Sequence, residues 1–213
     1  MKFIGNFKKW RQRASGWNSI AQEWDISIKD KNHFVNFEDG YRKFERFETA
    51  ILKKIGKLDS GIDIASGTGA ASTQLARHVK NLYLLDIADH MLKIAKAKYP
   101  KAKMLHASAT EIPLLDKSIN IAVSRGILIS LLAHKQEIKK LLAEVYRILK
   151  PGGIVIFDFL SNTTTAKFKV RESYKKAFTK LEIEKLLTNN GFYKIKFDGD
   201  ESARVIRVCA KKE

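Results

Sequence analysis

Gly61-Ile-Asp-Ile-Ala-Ser-Gly-Thr-Gly69 is the stretch that decides the fold of this chain of 213 residues. Residues 62–65, Ile-Asp-Ile-Ala, are predicted to form a short buried strand, and glycines 67 and 69 follow in a turn. Residues 70–79 are then compatible with a helix. A helix that opens after such a turn leaves its first backbone N–H groups unpaired, and the glycines have no Cβ to keep a ligand away. The stretch therefore predicts a strand–turn–helix unit that receives a polar or anionic group.

A second short apolar run, residues 81–86, ends in the carboxylate of Asp86. An acid about 20 residues beyond a glycine turn, at the tip of the neighbouring strand, accepts hydrogen bonds from both hydroxyls of a ribose. The turn and the acid together indicate a cofactor that contains a nucleoside.

Two features of the turn favour a cofactor that carries an amino acid over one that carries a pyrophosphate. The dinucleotide-binding fingerprint has a third glycine, and Ser72 stands at that place here. Asp63, upstream of the turn, would repel phosphate groups. An oxidoreductase of the NAD type is therefore disfavoured.

Asp63 followed by Gly67 and Gly69 resembles the first motif of the class I S-adenosylmethionine-dependent methyltransferases, an acid followed by Gly-x-Gly-x-Gly. Ala65 stands where the family has its first glycine. Residues 107–113, Ala-Ser-Ala-Thr-Glu-Ile-Pro, resemble the family's Gly-Asp-Ala-Glu-x-Leu-Pro segment.

Two further strings extend the resemblance. Residues 144–153, Glu-Val-Tyr-Arg-Ile-Leu-Lys-Pro-Gly-Gly, resemble the linker that stops the fourth helix sharply before the fifth strand. Residues 21–25, Ala-Gln-Glu-Trp-Asp, resemble the Ala-x-x-Tyr-Asp stretch of an N-terminal lid in small-molecule methyltransferases. The resemblance covers roughly residues 60–211, and the quinone-biosynthesis methyltransferases are the nearest group.

The alternation of strands and helices from residue 61 predicts an α/β fold with a parallel sheet covered on both faces. The resemblance implies more: a Rossmann-like, doubly wound, seven-stranded and mostly parallel sheet, a C-terminal antiparallel hairpin and a helical N-terminal lid. It divides the chain into a lid segment, residues 1–58, and an S-adenosylmethionine-binding methyltransferase domain, residues 59–213.

The resemblance also implies the cofactor and its contacts. S-adenosyl-L-methionine is the cofactor and S-adenosyl-L-homocysteine the product. Asp63 and the backbone of the turn would hold the methionine end, Asp86 the ribose, and the other residues the adenine or the side nearest the acceptor. The predicted cofactor-binding residues are Asp63, Ala65, Ser66, Gly67, Thr68, Gly69, Asp86, Ile87, Met91, Ser108, Ala109, Thr110, Ser124 and Arg125.

The expected acceptor is a small molecule, and Trp24, Tyr41 and Arg125 are the candidate residues of its pocket. No catalytic residue is assigned, because the cofactor supplies the electrophile and the protein mainly positions and desolvates the partners. Ile129 and Ser130 stand where the family often has histidines, so no histidine general base is predicted.

Two other functions stay open. An RNA methyltransferase is one, although residues 124–127, Ser-Arg-Gly-Ile, lack the Asn/Asp-Pro-Pro-Tyr-like tetrapeptide that holds a flipped base. The single cysteine, Cys209, lies in the last predicted strand, far from the site, so cytosine-C5 chemistry is also disfavoured. A non-catalytic module that binds the cofactor is the other alternative.

The formal net charge of +17 indicates either an anionic partner or a well-solvated surface. The positive excess is 5, 6 and 6 in residues 1–60, 61–159 and 160–213, so it is spread evenly. Non-specific binding of nucleic acid and peripheral membrane contact by a basic N-terminal helix with Phe3, Phe7 and Trp10 are therefore secondary expectations.

The sequence also gives expectations about membrane segments, metal sites and location. The chain has no apolar run of about 20 residues, no metal-binding pattern of cysteine and histidine, and no apolar signal core at its N-terminus. We therefore expect a cytoplasmic protein without a transmembrane segment or metal, either a monomer or a homodimer.

Overall fold

The computed structural model describes residues 14–29, 37–130, 135–162, 177–200 and 203–213. Strands and helices alternate from residue 58 onward, after two helices and a helical stretch over residues 14–19. The elements are α1 (Ala21–Lys29), α2 (Phe37–Ile55), β1 (Leu58–Ile64), α3 (Thr73–His78), β2 (Val79–Asp86), α4 (Asp89–Lys98), β3 (Lys103–His106), β4 (Ile119–Ser124), α5 (Ile127–Ser130), α6 (Lys135–Ile148), β5 (Leu149–Ser161), β6 (Ala177–Phe178), α7 (Lys180–Thr188), β7 (Phe192–Asp198) and β8 (Val205–Lys212).

One sheet organises the molecule, with strand order β3-β2-β1-β4-β5-β8-β7. The first five strands in this order are parallel, and β8 pairs antiparallel with both β5 and β7. The predicted Rossmann-like sheet with a C-terminal antiparallel hairpin is confirmed. The short strand β6, which pairs with the end of β5, adds an eighth strand that the sequence does not predict.

Helices cover both faces of the sheet, as a doubly wound fold requires. On one face, α2, α3 and α4 bury side chains such as Phe44, Leu75 and Leu92. On the other face, α6 and α7 bury side chains such as Val145 and Leu187. The order of the strands reverses between β1 and β4, so the carboxyl ends of these strands flank the crevice where ligands bind in such sheets.

The fifth strand begins earlier than predicted. The sequence suggests a sharp stop at residues 150–153, but β5 starts at Leu149 and runs through this segment. Gly152 takes a left-handed φ of 73°, and a Cβ on Gly153 would lie 2.7 Å from the Lys150 carbonyl oxygen. The two glycines thus let the strand bend while its pairing with β4 continues.

The other boundaries differ by a few residues. The helix predicted over residues 70–79 is shorter, because the turn extends to Ser72, whose N–H donates to the Gly69 carbonyl (3.1 Å). A capping box starts α7: the Glu182 N–H donates to Thr179 Oγ1 (3.1 Å), and the Glu182 side chain accepts from the Thr179 N–H. Phe3, Phe7 and Trp10, the aromatic residues of the predicted basic N-terminal helix, lie outside the described residues.

Within the described part of the chain, every helix is too short or too polar to cross a bilayer.

Candidate active site

The glycine turn leaves β1 through three left-handed residues. Ala65, Gly67 and Gly69 have φ values of 58°, 55° and 74°. The turn is closed by the Gly69 N–H, which donates to the Ser66 carbonyl oxygen (2.9 Å). Ala65 therefore holds a conformation that only glycine adopts without steric cost, which explains why the resembling motif has glycine there.

Replacing Ala65 by glycine is expected to stabilise the protein. The left-handed strain at Ala65 costs about 1 kcal/mol relative to glycine, which corresponds to a rise in Tm of roughly 2–4 °C for a chain of this size. Thermal unfolding measures the change. Ala88→Gly is the matched control, because Ala88 has an ordinary φ of −100°, and its Tm should fall. If the Tm of Ala65→Gly is at or below that of the parent chain, the backbone at Ala65 is not strained.

Asp86 ties the turn to the end of β2. One carboxylate oxygen, Oδ2, accepts from the Gly67 N–H (2.8 Å), and Oδ1 accepts from the Ala88 N–H (2.9 Å). Burial raises the pKa of Asp86, and these backbone hydrogen bonds oppose the increase. The carboxylate that the sequence assigns to a ribose is therefore fixed beside Gly67, with a further lone pair on each oxygen.

Asp63 lies beneath the turn at the end of β1 and is 2% exposed. Its Oδ2 accepts from the Ser72 hydroxyl (2.5 Å). Burial raises the pKa of Asp63 to about 7; the Ser72 hydrogen bond opposes this shift and the Asp86 charge adds to it. Asp63 therefore changes charge near neutral pH.

The residues predicted to meet the adenine follow β2 and β3. The hydroxyls of Ser108 and Thr110 lie 2.9 Å apart and bond to each other. The Ile87 carbonyl oxygen lies 2.9 Å from His106 Nε2. Met91 is buried, and its Sδ lies 4.0 Å from the point that a Cβ on Gly67 would occupy. These residues and Ala109, next to Ser108 in the chain, lie beyond the carboxyl ends of the two strands.

Ser124 and Arg125 lie at the carboxyl end of β4. The Ser124 hydroxyl donates to the Ile64 carbonyl oxygen (2.6 Å) and thereby links β4 to β1. The Arg125 guanidinium lies over the ring of Tyr41, 3.7 Å from its centroid, and its Nε lies 3.9 Å from Asp158 Oδ2. Both side chains of this ion pair are at least nine-tenths buried.

Asp158 was missed by sequence reasoning. It is a buried acid near the carboxyl end of β5, and its Oδ1 accepts from the Gly126 N–H (2.7 Å). The sequence signal that could have identified Asp158 is its position as the lone acid within the apolar run of residues 154–160. A charge in a strand that is buried on both faces indicates a partner from elsewhere in the fold.

Helix α1 lies against the glycine turn. Asp25 accepts from the Thr68 hydroxyl (2.5 Å) and forms an ion pair with Lys98 on α4. The indole Nε1 of Trp24 lies 3.9 Å from the point that a Cβ on Gly67 would occupy, and Trp24 hydrogen-bonds Tyr41. The three predicted acceptor residues are thus brought together, because Tyr41 contacts both Trp24 and Arg125.

The residues around the turn fit an amino-acid-bearing nucleoside. The Ser66 hydroxyl is buried and forms no hydrogen bond with any residue that the structure describes. Apart from Gly67 and its two chain neighbours, no atom of the described residues lies closer than 3.9 Å to a Cβ on Gly67, so a ligand can approach that backbone. Asp86 offers acceptors on the same turn for hydroxyl groups, and Asp63 offers an anionic partner for an ammonium group.

Comparisons with known proteins show the family to which the chain belongs. The family model described as "Methyltransferase domain" matches residues 62–157. The demethylmenaquinone methyltransferase of Renibacterium salmoninarum is 33% identical over 159 residues, 73% of this chain and 62% of that protein. The ubiquinone/menaquinone biosynthesis C-methyltransferase UbiE of Rickettsia typhi is 33% identical over 192 residues, 79% of this chain and 72% of that protein.

Among solved structures, the magnesium protoporphyrin IX methyltransferase of Synechocystis PCC 6803, with bound S-adenosylhomocysteine, has the same fold. Its TM-score is 0.72 at 14% identity, over 95% of this chain and 99% of that chain. The chain spans 62% of the length of the Renibacterium relative, less than two thirds. The motifs, the strand order and these similarities lead to one conclusion: the chain belongs to the class I S-adenosylmethionine-dependent methyltransferases, in the family of the ubiquinone/menaquinone biosynthesis C-methyltransferases.

Proposed function

We propose that this protein transfers a methyl group from S-adenosylmethionine to a small-molecule acceptor. One observation carries the proposal: a left-handed turn at the point where the strand order reverses, flanked by the buried carboxyl groups of Asp63 and Asp86. Such a crevice suits a ligand with both a nucleoside and an amino-acid end. Membership of the methyltransferase family supports the same activity.

The proposed cofactor contacts follow the order of the strands. Asp63, with the backbone from Ala65 to Gly69, would hold the methionine end. Asp86 would accept hydrogen bonds from the ribose hydroxyls, and the residues after β3 would border the adenine. When bound, S-adenosylmethionine supplies an electrophilic methyl group on a sulfonium. These contacts fix the cofactor's orientation relative to an acceptor, which is the main requirement of an in-line displacement.

The proposed acceptor pocket lies where α1, α2 and the end of β4 meet. Trp24 and Tyr41 give it aromatic walls, and Arg125 is a cation held by Asp158. Aromatic rings and a guanidinium suit a flat acceptor with an acidic hydroxyl, whose anionic form Arg125 would stabilise. The relatives are named for menaquinone and ubiquinone biosynthesis, and we propose an acceptor of that general size.

Residues 1–58 are proposed to act as a lid over the domain formed by residues 59–213. The contacts of Asp25 with Thr68 and Lys98 support a lid role for α1. Helix α2, which also lies within residues 1–58, packs against the sheet through Phe44 and Leu52. A lid that excludes water strengthens the electrostatic contacts of the site and prevents side reactions. We also propose that the protein acts in the cytoplasm, as a monomer or a homodimer.

RNA is the competing acceptor, because the chain carries a net charge of +17. Incubation with methyl-labelled S-adenosylmethionine, a cell extract and total cellular RNA at about 150 mM salt separates the two acceptors. We expect the label in the small-molecule fraction and only weak, non-specific RNA binding, since phosphate contacts lose about 10³–10⁵ in affinity between 50 and 200 mM salt. Stoichiometric label in one RNA species would overturn the small-molecule assignment. Tight cofactor binding without transfer to either fraction would favour the non-catalytic alternative.

A further inference from the structure

Glu48 is a carboxyl group buried on α2. Its side chain is 0% exposed and lies in the row that also carries Phe44 and Leu52 into the core. Neither carboxyl oxygen forms a hydrogen bond with any residue in the described ranges. Buried polar groups in folded proteins nearly always have a partner, so an exception of this kind requires a physical explanation.

The side chains whose charges affect the pKa of Glu48 are acids. Burial raises its pKa to about 9, and the negative charges of Asp63 on β1 and Glu45 on α2 add to the increase. The backbone amide of Leu75 on α3 opposes the shift, although it does not complete a hydrogen bond with the carboxyl group. Glu48 is therefore neutral at pH 7 and would ionise if a cation approached.

The start of α3 is common to Glu48 and Asp63: Ser72, the residue before this helix, donates to Asp63, and the backbone amide of Leu75 in its first turn acts on Glu48. Asp63 is also one of the two acids whose charges raise the pKa of Glu48. It belongs to the strand–turn motif and is itself buried, with a pKa raised to about 7 by burial. Two buried carboxyl groups that repel each other form a site in which one cation stabilises both ionised forms. The Ser66 hydroxyl, also buried and without a partner among the described residues, lies on the same turn.

We propose that Glu48 and Asp63 together receive the α-ammonium group of the cofactor's methionyl end, so that Glu48 is a binding residue outside the glycine motif. This inference rests on the proposed function, because S-adenosylmethionine brings that ammonium group to the turn. Ionisation of the pair expels protons when the ligand binds. Affinity then rises with pH, by about tenfold per pH unit for each proton released.

The experiment compares two ligands and two variants of the full chain. S-adenosylhomocysteine carries the ammonium group, whereas 5′-methylthioadenosine has the same nucleoside without the amino-acid end. Glu48→Gln removes the ionisable group but keeps its shape, so the fold should survive. Glu184→Gln is the matched control, because Glu184 is an exposed acid on α7 and is not among the charges that act on Glu48. Calorimetry at about pH 6, 7 and 8, in buffers of different ionisation enthalpy, gives Kd and the number of protons released.

We expect Glu48→Gln to bind S-adenosylhomocysteine about tenfold or more weakly at pH 8, to release fewer protons and to bind 5′-methylthioadenosine like the parent chain. Glu184→Gln should behave like the parent chain with both ligands. An unchanged Kd and unchanged proton release in Glu48→Gln would overturn the inference, and so would an equal loss of both ligands. If the parent chain binds neither ligand, the proposed function itself fails, which is a different outcome.

Discussion

Asp86→Ala is expected to remove measurable binding of S-adenosylhomocysteine. The variant would lose the acceptors proposed for two ribose hydroxyls, and hydrogen bonds to a charged group contribute about 1.5–3 kcal/mol each. The dissociation constant should rise roughly 100-fold or more. The effect exceeds that of a simple contact residue because Asp86 also holds the N–H groups of Gly67 and Ala88. The turn itself therefore loosens in this variant.

The dual role of Asp86 calls for two controls. Loss of the acceptor for two backbone N–H groups should lower the stability by about 2–4 kcal/mol, seen as a fall in Tm of roughly 5–15 °C. Asp86→Asn keeps one acceptor oxygen, so it should recover part of the Tm but little of the binding. Asp59→Ala, an exposed acid at the start of β1, should change neither quantity. Full binding by Asp86→Ala would disprove the proposed role of this carboxylate.

Asp25→Ala is expected to accelerate release of the cofactor by about tenfold or more. The Thr68 hydroxyl would lose a charged acceptor worth about 1.5–3 kcal/mol, whereas the partly exposed Lys98 ion pair contributes less than about 1 kcal/mol. Helix α1 would then separate more readily from the glycine turn. The dissociation rate of S-adenosylhomocysteine, followed by stopped-flow fluorescence, measures the change.

Two further variants test whether the contact of Asp25 matters rather than the helix in general. Thr68→Val removes the hydroxyl that donates to Asp25 but leaves the sequence of α1 unchanged. It should reproduce the faster release of S-adenosylhomocysteine. Ile26→Ala alters a side chain on α1 that is 71% exposed, and it should leave the rate unchanged. If Asp25→Ala and Thr68→Val both retain the cofactor as long as the parent chain, residues 14–29 do not act as a lid.

The centre of the fold was predictable because each signal was local. The alternation of apolar runs with helical runs fixed the parallel strands, and strand ends in such a sheet meet at one edge. Asp63 lies within the first predicted strand and Asp86 ends the second, so their common location could be derived from the sequence. The family resemblance added the antiparallel hairpin, which β7 and β8 form.

The groups that sequence reasoning missed depend on distant partners. Asp158 on β5 contacts Arg125 and Gly126, which follow the neighbouring strand β4. The lone acid in the run indicates that a partner exists, but nothing near residue 158 in the sequence indicates which one. Glu48 left a weak local signal, since it stands four residues from both Phe44 and Leu52 and so shares their buried face. An acid at that spacing within an apolar stripe should have been predicted to be buried.

The direct test of the account is a calorimetric titration of the unmodified full chain with S-adenosylhomocysteine and, separately, with NAD. We expect one S-adenosylhomocysteine site and no heat of binding with NAD. At about 100 times Kd, S-adenosylhomocysteine should stabilise the fold by about 2.7 kcal/mol, seen as a rise in Tm of roughly 5–10 °C. Binding of NAD alone, or of neither ligand, would contradict the central claim that this turn holds S-adenosylmethionine.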